Sequence, residues 1–562
     1  MSLKLSSSNK QAFVCTYVMA SQSCPEIFMA IVFITTVLSL AASRQNTVED
    51  SCKFTSTKDL CDTALFPDSC HNSLTNLPTR NLLRTIFERS AHKALTAVSK
   101  ASSHFSTRGA IRKLVADRMR VDEKLSISAL KSCATLLSLA IENINDSLST
   151  SKRASFFSSR GARVDVMTWM SAAGTDLRTC MDEFQGFSHD VKKFAREELD
   201  KSTEYISNSL AIVTRLDSCL GSTKVVNWVD ETKNLLDANT TEIKINLVVA
   251  QDSTGNFTAI SDALKTVPDR SLNRFVIYVK KGTYYENVRV EKSQWNVMMI
   301  GEGMEQTVVS GNLSYAGGTK TFMTATFAVF GRGFVARQMA FRNTAPASQA
   351  VALLSTSDKS VFFQCLVESK QDTLYVHSKR QFYRECTIIG TMDFIFGNSA
   401  TVIQTSLILL KNPSPGRTNV ITAQGKSDPN ENTGFSVHNC TIRAAGEKGL
   451  GGAHAFLGRP WRDYSTVVFM QTYIDGSVDS EGWLAWDSTR PGPNTVFYGE
   501  YGNSGPGANT SGRVKWAGVK VELGESEAEK FTVGGLIGGQ EWLPESGVPF
   551  GLGLLKGKSN EK

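Results

Sequence analysis

Six residues in the middle of the chain recur with nearly one offset. Asp372 and Asp393 stand 21 residues apart, Cys365 and Cys386 also 21, and Gln349 precedes Gln371 by 22. Two carboxyl groups held about 5 Å apart cannot both ionise freely, so one pKa rises while the other stays low. Such a pair divides its labour. One member attacks or takes a proton, and the other gives one. Side-chain amides beside the pair can donate to an oxygen that gains charge, as an oxyanion hole requires. Further on, Gly458-Arg459-Pro460-Trp461 supplies a guanidinium able to orient a carboxylate through two parallel bonds, and an indole able to stack on a sugar ring. No G-x-S-x-G elbow, H-E-x-x-H or C-x-x-C occurs, and the seven His are scattered, which argues against a serine hydrolase and against a metal site.

The shared offset implies the element that positions these groups. Repeats of 20 to 50 residues are the mark of a solenoid. Stacked coils lie about 4.7–4.9 Å apart. Asp372 then sits directly beside Asp393 on the next coil, with Gln349 one coil earlier on the same face. Cys365 and Cys386 stack too, within the roughly 4.4–6.8 Å that a disulfide spans between Cα atoms, so a bridge is expected there. Short runs rich in Val, Ile, Phe and Thr support the coil: Phe275–Val279, Val297–Ile300, Ala325–Phe330, Phe334–Phe341, Val361–Val367, Gln381–Ile389, Thr401–Leu410, Phe435–Ile442 and Thr466–Ile474. No helices of 10–15 residues separate them, which argues against a doubly wound sheet. The pattern predicts a C-terminal all-β right-handed parallel β-helix over 243–562. Phe257–Val267 is expected as a helical cap on its first coil, and Glu522–Phe531 as a charged segment outside it. Cys440 is expected to be buried and free, and Gln424 and His438 to be structural.

The first half has a different period. Leu82–Ser99, Leu125–Leu148, Val164–Phe184 and Val191–Leu216 carry apolar residues at steps of three and four. They predict an all-α four-helix bundle over 50–220. Cys61 and Cys70 would close a small loop, and a Cys133–Cys180 bridge would pin two helices. A polar stretch, 221–242, links the halves. The apolar run Ile27–Ala42, with Lys4 and Lys10 before it, reads as a signal peptide or signal anchor within 1–43. It implies an oxidising route, which the six N-x-S/T sequons suit. At 562 residues, 41% apolar and 20% charged, the chain is an ordinary multi-domain globular protein. A net charge of +7 with no concentrated Lys/Arg run gives no footprint for nucleic acid.

Two resemblances add to this reading. The helical part resembles the plant invertase and pectin methylesterase inhibitor family. The matching features are the Cys61/Cys70 spacing with Phe66-Pro67, Ser132-Cys133, and Thr168-Trp169-Met170-Ser171-Ala172-Ala173 before Cys180. The second half resembles plant pectinesterases in Gly282-Thr283-Tyr284-Tyr285-Glu286, Gln371-Asp372-Thr373-Leu374-Tyr375, Asp393-Phe394-Ile395-Phe396-Gly397, Ile421-Thr422-Ala423-Gln424-Gly425 and Leu457-Gly458-Arg459-Pro460-Trp461. The resemblance implies hydrolysis of methyl esters of homogalacturonan in the plant cell wall, without a cofactor. It implies Asp393 as nucleophile and Asp372 as proton donor, then base. Gln371 and Gln349 would stabilise the oxyanion, and Thr321, Gln349, Arg459 and Trp461 would contact substrate. The bundle would act as an inhibitor held in the same chain. Three departures from the family pattern stand out in the second half. The loop before Gln349 is two residues short, Leu354 replaces a usual Arg, and Lys370 replaces a usual aromatic residue. The first keeps a second expectation open, a β-helix that grips pectin with impaired catalysis, and the other two would alter the charge of the cleft. At Lys233-Asn234-Leu235-Leu236 the usual dibasic processing signal is missing, so the bundle would stay attached.

Overall fold

The computed structural model describes residues 77–106, 123–220, 243–346, 348–446, 449–487 and 494–555. The apolar N-terminal segment, Cys61, Cys70 and the 221–242 linker lie outside them.

Four helices form the first part: α1 (Leu77–Ser106), α2 (Glu123–Ser151), α3 (Arg160–Glu183) and α4 (His189–Leu220). Each matches its predicted apolar span and extends beyond it by several residues at one or both ends, because the terminal turns are polar and carry no period. Ser159 caps α3 by accepting the Ala162 amide at 3.2 Å. Cys133 of α2 and Cys180 of α3 are joined by a disulfide, with Cα atoms 4.5 Å apart.

From residue 247 onward the chain winds a right-handed parallel β-helix. Three sheets of 11, 8 and 7 strands run its length, and their strands pair in parallel. The seven-stranded sheet concerns the site. Its strands are Val288–Val290, Phe327–Val329, Leu353–Ser355, Leu374–Val376, Ile395–Gly397, Asn419–Gln424 and Ala455–Gly458. Residues alternate across it. Phe327, Leu353, Leu374 and Ile395 point into one continuous apolar core, while Ala328, Leu354, Tyr375 and Phe396 point outward. Inside, Phe362 stacks on Tyr383 at 4.8 Å, one of several aromatic rungs that fill the coil. The short helix Ile260–Leu264 closes the first coil, shorter than expected because Pro268 and the Thr266 hydroxyl end it early.

The long β runs of the sequence prove to be two strands each. Gln338, Gln364, Glu385, Thr405, Asn439 and Gln471 interrupt them with φ between 51° and 55°. At this corner one left-handed residue per coil turns the chain from one sheet to the next. Such a residue costs roughly 1–2 kcal/mol for an L side chain. The corner side chains offset part of this by bonding up the stack: Gln338 Nε2 donates to Gln364 Oε1 at 3.2 Å, and Gln364 Nε2 to Glu385 Oε2 at 3.1 Å.

Cys365 and Cys386 correct an expectation. They stack on neighbouring coils but are free thiols, as is Cys440. Each Sγ points into the core and donates to carbonyls: Cys365 to Phe363 O at 3.4 Å, Cys386 to Phe362 O at 3.3 Å. In-register neighbours in a parallel ladder aim their side chains the same way. Stacking therefore supplies the Cα spacing of a bridge, yet both sulfurs remain thiols that donate to core carbonyls.

Candidate active site

Leu374 pairs with Ile395, which puts Asp372 beside Asp393 one coil on. The Asp372 amide donates to Met392 O at 3.1 Å. Both aspartates are left-handed, φ 61° and 49°, a conformation that Asp tolerates better than most residues. Each lies two residues before its strand, so the same corner aims both carboxyls at one place. Gln349 pairs with Gln371 through an isolated parallel bridge, one coil earlier on the same edge. The shortened loop before Gln349 does not displace it. Asn343 Nδ2 ties that loop to Leu313 O and Val351 O at 3.0 Å each, and Tyr315 N donates to Gln349 O at 2.9 Å.

Arg459 follows the Ala455–Gly458 strand directly. Its Nε donates to Asp393 Oδ1 at 2.8 Å and its Nη2 to Asp393 Oδ2 at 2.5 Å. Trp486, which sequence reading missed, holds the guanidinium from behind: its ring lies 4.4 Å away and its carbonyl accepts from Nη1 at 3.3 Å. The two aspartates are 7% and 6% exposed, and burial raises both pKa values. Arg459 opposes the rise at Asp393, while the charge of Asp393 adds to it at Asp372. Of the two, Asp372 is the better placed to hold a proton and Asp393 to be the carboxylate. This arrangement can present an anionic nucleophile beside a neutral acid.

Beside the pair runs an aromatic stripe on the outer face. Tyr375 stacks on Phe396 at 4.1 Å, Phe396 meets Trp461 at 6.1 Å, and Phe322, next to Thr321, meets Tyr375 edge-on at 6.2 Å. A Cβ on Gly425 would stand 2.9 Å from the Trp461 ring, so only glycine lets the indole lie flat there. Leu354 continues the stripe, fully buried, so its effect is apolar cover rather than changed charge. Leu354, Tyr375 and Phe396 share the 21-residue offset of the aspartates, a signal present in the sequence and left unused. Gln424 and His438 are structural. Gln424 bonds Asn398 and the Thr466 amide, and His438 bonds Gln471 with its pKa pushed down to about 4 by burial.

Helix α3 lies along this face. Trp169 Nε1 donates to Asp358 at 3.1 Å, Thr175 accepts from Asn398 at 2.9 Å, Thr179 meets His377 at 3.0 Å, and Arg462 donates to Asp182 at 2.6 Å. Complementary charge recurs along it. Asp165 joins Asp358 on Arg380, and Asp146 and Glu142 of α2 pair with Arg332 and Arg270. Burial raises the pKa of the Tyr375 phenol, and the charges of Glu183, Asp182 and Asp372 add to the rise.

Fold and site define a class: a parallel β-helix with a buried carboxylate pair and aromatic cleft on one long face, joined to a helical bundle lying across that face. The family model described as Pectinesterase matches residues 246–540, and that described as Plant invertase/pectin methylesterase inhibitor matches 34–212. Pectinesterase 3 of Phaseolus vulgaris is 42% identical over 88% of this chain and 86% of its own. A pectinesterase/pectinesterase inhibitor of Prunus persica is 42% identical over 75% of this chain and 82% of its own. The pectin methylesterase from carrot superposes with TM-score 0.54 at 42% identity, over 56% of this chain and 100% of that one. The chain belongs to the pectinesterase family.

Proposed function

We propose that this chain hydrolyses methyl esters of homogalacturonan in the plant cell wall, releasing methanol, and that its bundle (about 50–220) restrains the catalytic β-helix (about 243–562). The observation that carries the reading is the bidentate Arg459–Asp393 pair beside a buried Asp372. Asp393 attacks the ester carbonyl, and the tetrahedral oxyanion takes hydrogen bonds from Gln349 and Gln371. Asp372 gives its proton to departing methanol, leaving an acyl-Asp393. Asp372, now a carboxylate, takes a proton from water, which cleaves the acyl bond and restores both groups. Trp461, Thr321 and the aromatic stripe hold the sugar chain. The rival reading, a pectin binder with impaired catalysis, rested on the short loop before Gln349; the family match and the backbone bridge between Gln349 and Gln371 favour hydrolysis over it. Methanol release from highly methylated pectin tests the proposal; none from the bundle-released protein would overturn it. The apolar run near residue 30 supports entry to the secretory route.

Restraint by the bundle carries a pH dependence. Burial pushes Glu183 at the end of α3 up to about 8, with Lys320 opposing and Asp182 adding; Asp176 is raised too. Burial drives His377, facing Thr179 and Asp176, down to about 3. A raised carboxylate favours the docked state below its ordinary pKa and loses that advantage as pH climbs through the raised value. A depressed His acts in the opposite sense, but only below about 6.5. Between about pH 6.5 and 8 the raised Glu183 weakens docking as pH climbs, against the opposing sense of Lys320 and Lys379, whose pKa values burial lowers, and methanol release should rise. Glu183→Gln should flatten that rise; an unchanged profile would detach Glu183 from restraint.

A further inference from the structure

Three parts of the chain meet around a cavity of about 180 Å³. The eleven-stranded sheet lines it with Val335 and Val361, which pair in register, and the C-terminal segment with Trp542 and Glu545. The third part is α2, whose Asp146 accepts from Arg332 of the cavity wall at 2.8 Å. The aspartate pair stands on the seven-stranded sheet, so this cavity is separate from its cleft. Its charge is unbalanced: Arg274, Arg332 and Lys359 line it against one acid, Glu545. Arg274 and Lys359 stand in no ion pair among the described residues. Arg274 gives one N–H to Gly333 O, and burial lowers its pKa with only the charge of Glu545 opposing. The charge of Lys359 acts on Asp358, but Arg380 already holds both oxygens of that carboxylate, at 2.9 and 2.6 Å.

A desolvated cation without an acid is costly, and a charged ligand relieves that cost. At about 30 Å³ per water, the cavity has room for a group of several heavy atoms. We infer that this cavity binds a small multivalent oxyanion, a phosphate or a polycarboxylate, and that the bound anion opposes docking of the bundle. Arg274 and Lys359 supply charge that nothing else uses, and guanidinium N–H groups suit oxyanions of either kind. Arg332 couples the cavity to the bundle. Its guanidinium lies 5.0 Å from the Trp169 ring of α3 and 5.0 Å from the Trp295 ring of the β-helix, with Asp146 on its Nη2. An anion on its remaining N–H groups competes with Asp146 for one charge and stands beside Asp146 and Asp358 as a like charge. The coupling is reciprocal, so a docked bundle also weakens the anion. This coupling rests on the reading that the bundle restrains the enzyme, while the site itself does not.

The test titrates the full chain calorimetrically with sodium phosphate and, separately, with sodium citrate, at an ionic strength held constant with sodium chloride. At least one of the two should bind saturably, and which one does identifies the source. Arg274→Gln and Lys359→Gln should each weaken that binding about tenfold, the scale of one charged hydrogen bond, and Lys359→Arg, which keeps the charge, should stay within about threefold of the unaltered chain. Saturable binding of neither anion, or equal binding by the unaltered chain and both Gln variants, overturns the site. Asp146→Asn removes the competitor on Arg332 and should bind the anion about fivefold more tightly; binding equal to that of the unaltered chain overturns the coupling. On methylated pectin the same anion should raise methanol release about fivefold, with the midpoint found in the titration. Arg274→Gln/Lys359→Gln should keep the basal release and lose the rise, and a rise retained by this double variant overturns the inference. A chain that binds the anion and releases no methanol under any condition would count against the pectinesterase reading, since the titration judges the site without hydrolysis.

Discussion

Asp393→Asn is expected to reduce methanol release from methyl-esterified pectin by on the order of 10⁴-fold, the scale seen when a group that works as part of a catalytic unit is removed. The amide keeps the shape and can still accept from Arg459, whose guanidinium remains held by the Trp486 ring and carbonyl. What disappears is the anionic oxygen that would bond the ester carbon. Asp372→Asn should cost less, about 10² to 10⁴, the range of a single general acid–base group. The two differ in a second respect. Burial and the neighbouring carboxylate raise the Asp372 pKa, so the native state holds its proton where the unfolded chain has lost it. That contribution to stability is complete below the ordinary carboxylate pKa and lost as pH rises through the raised one. Asn is always neutral, so Asp372→Asn should melt higher than the unaltered chain near pH 7 and alike near pH 3. Assays on folded variants, checked by thermal melts at both pH values, decide the matter. Appreciable turnover by Asp393→Asn would remove the proposed nucleophile.

The repeat made much of this legible. An offset of 21 is a statement about geometry, because a coil of constant length returns each residue to the same corner. It therefore carried the Asp pair, the Gln pair and the sheet on which they stand. It failed where stacking is not enough. Cys365 and Cys386 share the offset, but both stay thiols that donate to core carbonyls instead of forming a bridge. The corners were invisible for a related reason. A single polar residue such as Gln364 inside an apolar run reads as ordinary strand alternation, and nothing local shows that its φ is 52°. Trp486 and Arg462 lie in loops whose length varies from coil to coil, so no period places them. The position of the bundle was the least legible of all, since it depends on two surfaces meeting. Only the acids of α2 and α3 hinted at it, and charges on helices are usually solvated.

Thr179→Glu is expected to raise methanol release by the full chain about 100-fold. Thr179 faces the β-helix from α3, 6% exposed, against His377 and close to the Tyr375 phenol. A carboxylate there would join Asp176, Glu183 and Asp372, and the basic group it would touch, His377, is held neutral by burial. An uncompensated buried charge costs about 3–5 kcal/mol, and every 1.4 kcal/mol or so is a factor of about ten in an equilibrium constant. The cost falls only on the docked state. In a released bundle position 179 faces water, and the α2–α3 pairing, fixed by the Cys133–Cys180 disulfide, is untouched. Destabilisation of one state of a docking equilibrium shifts its population by that same factor, up to the ceiling set by full release. The gain should therefore fade toward low pH, where the introduced carboxyl can dock protonated as Glu183 and Asp176 do, and grow as pH rises above the ordinary Glu pKa. Adding Asp393→Asn should abolish the gain, which separates release of the site from any new chemistry by the introduced carboxylate. Activity unchanged by Thr179→Glu at every pH would mean that the helix across the cleft does not restrain the enzyme.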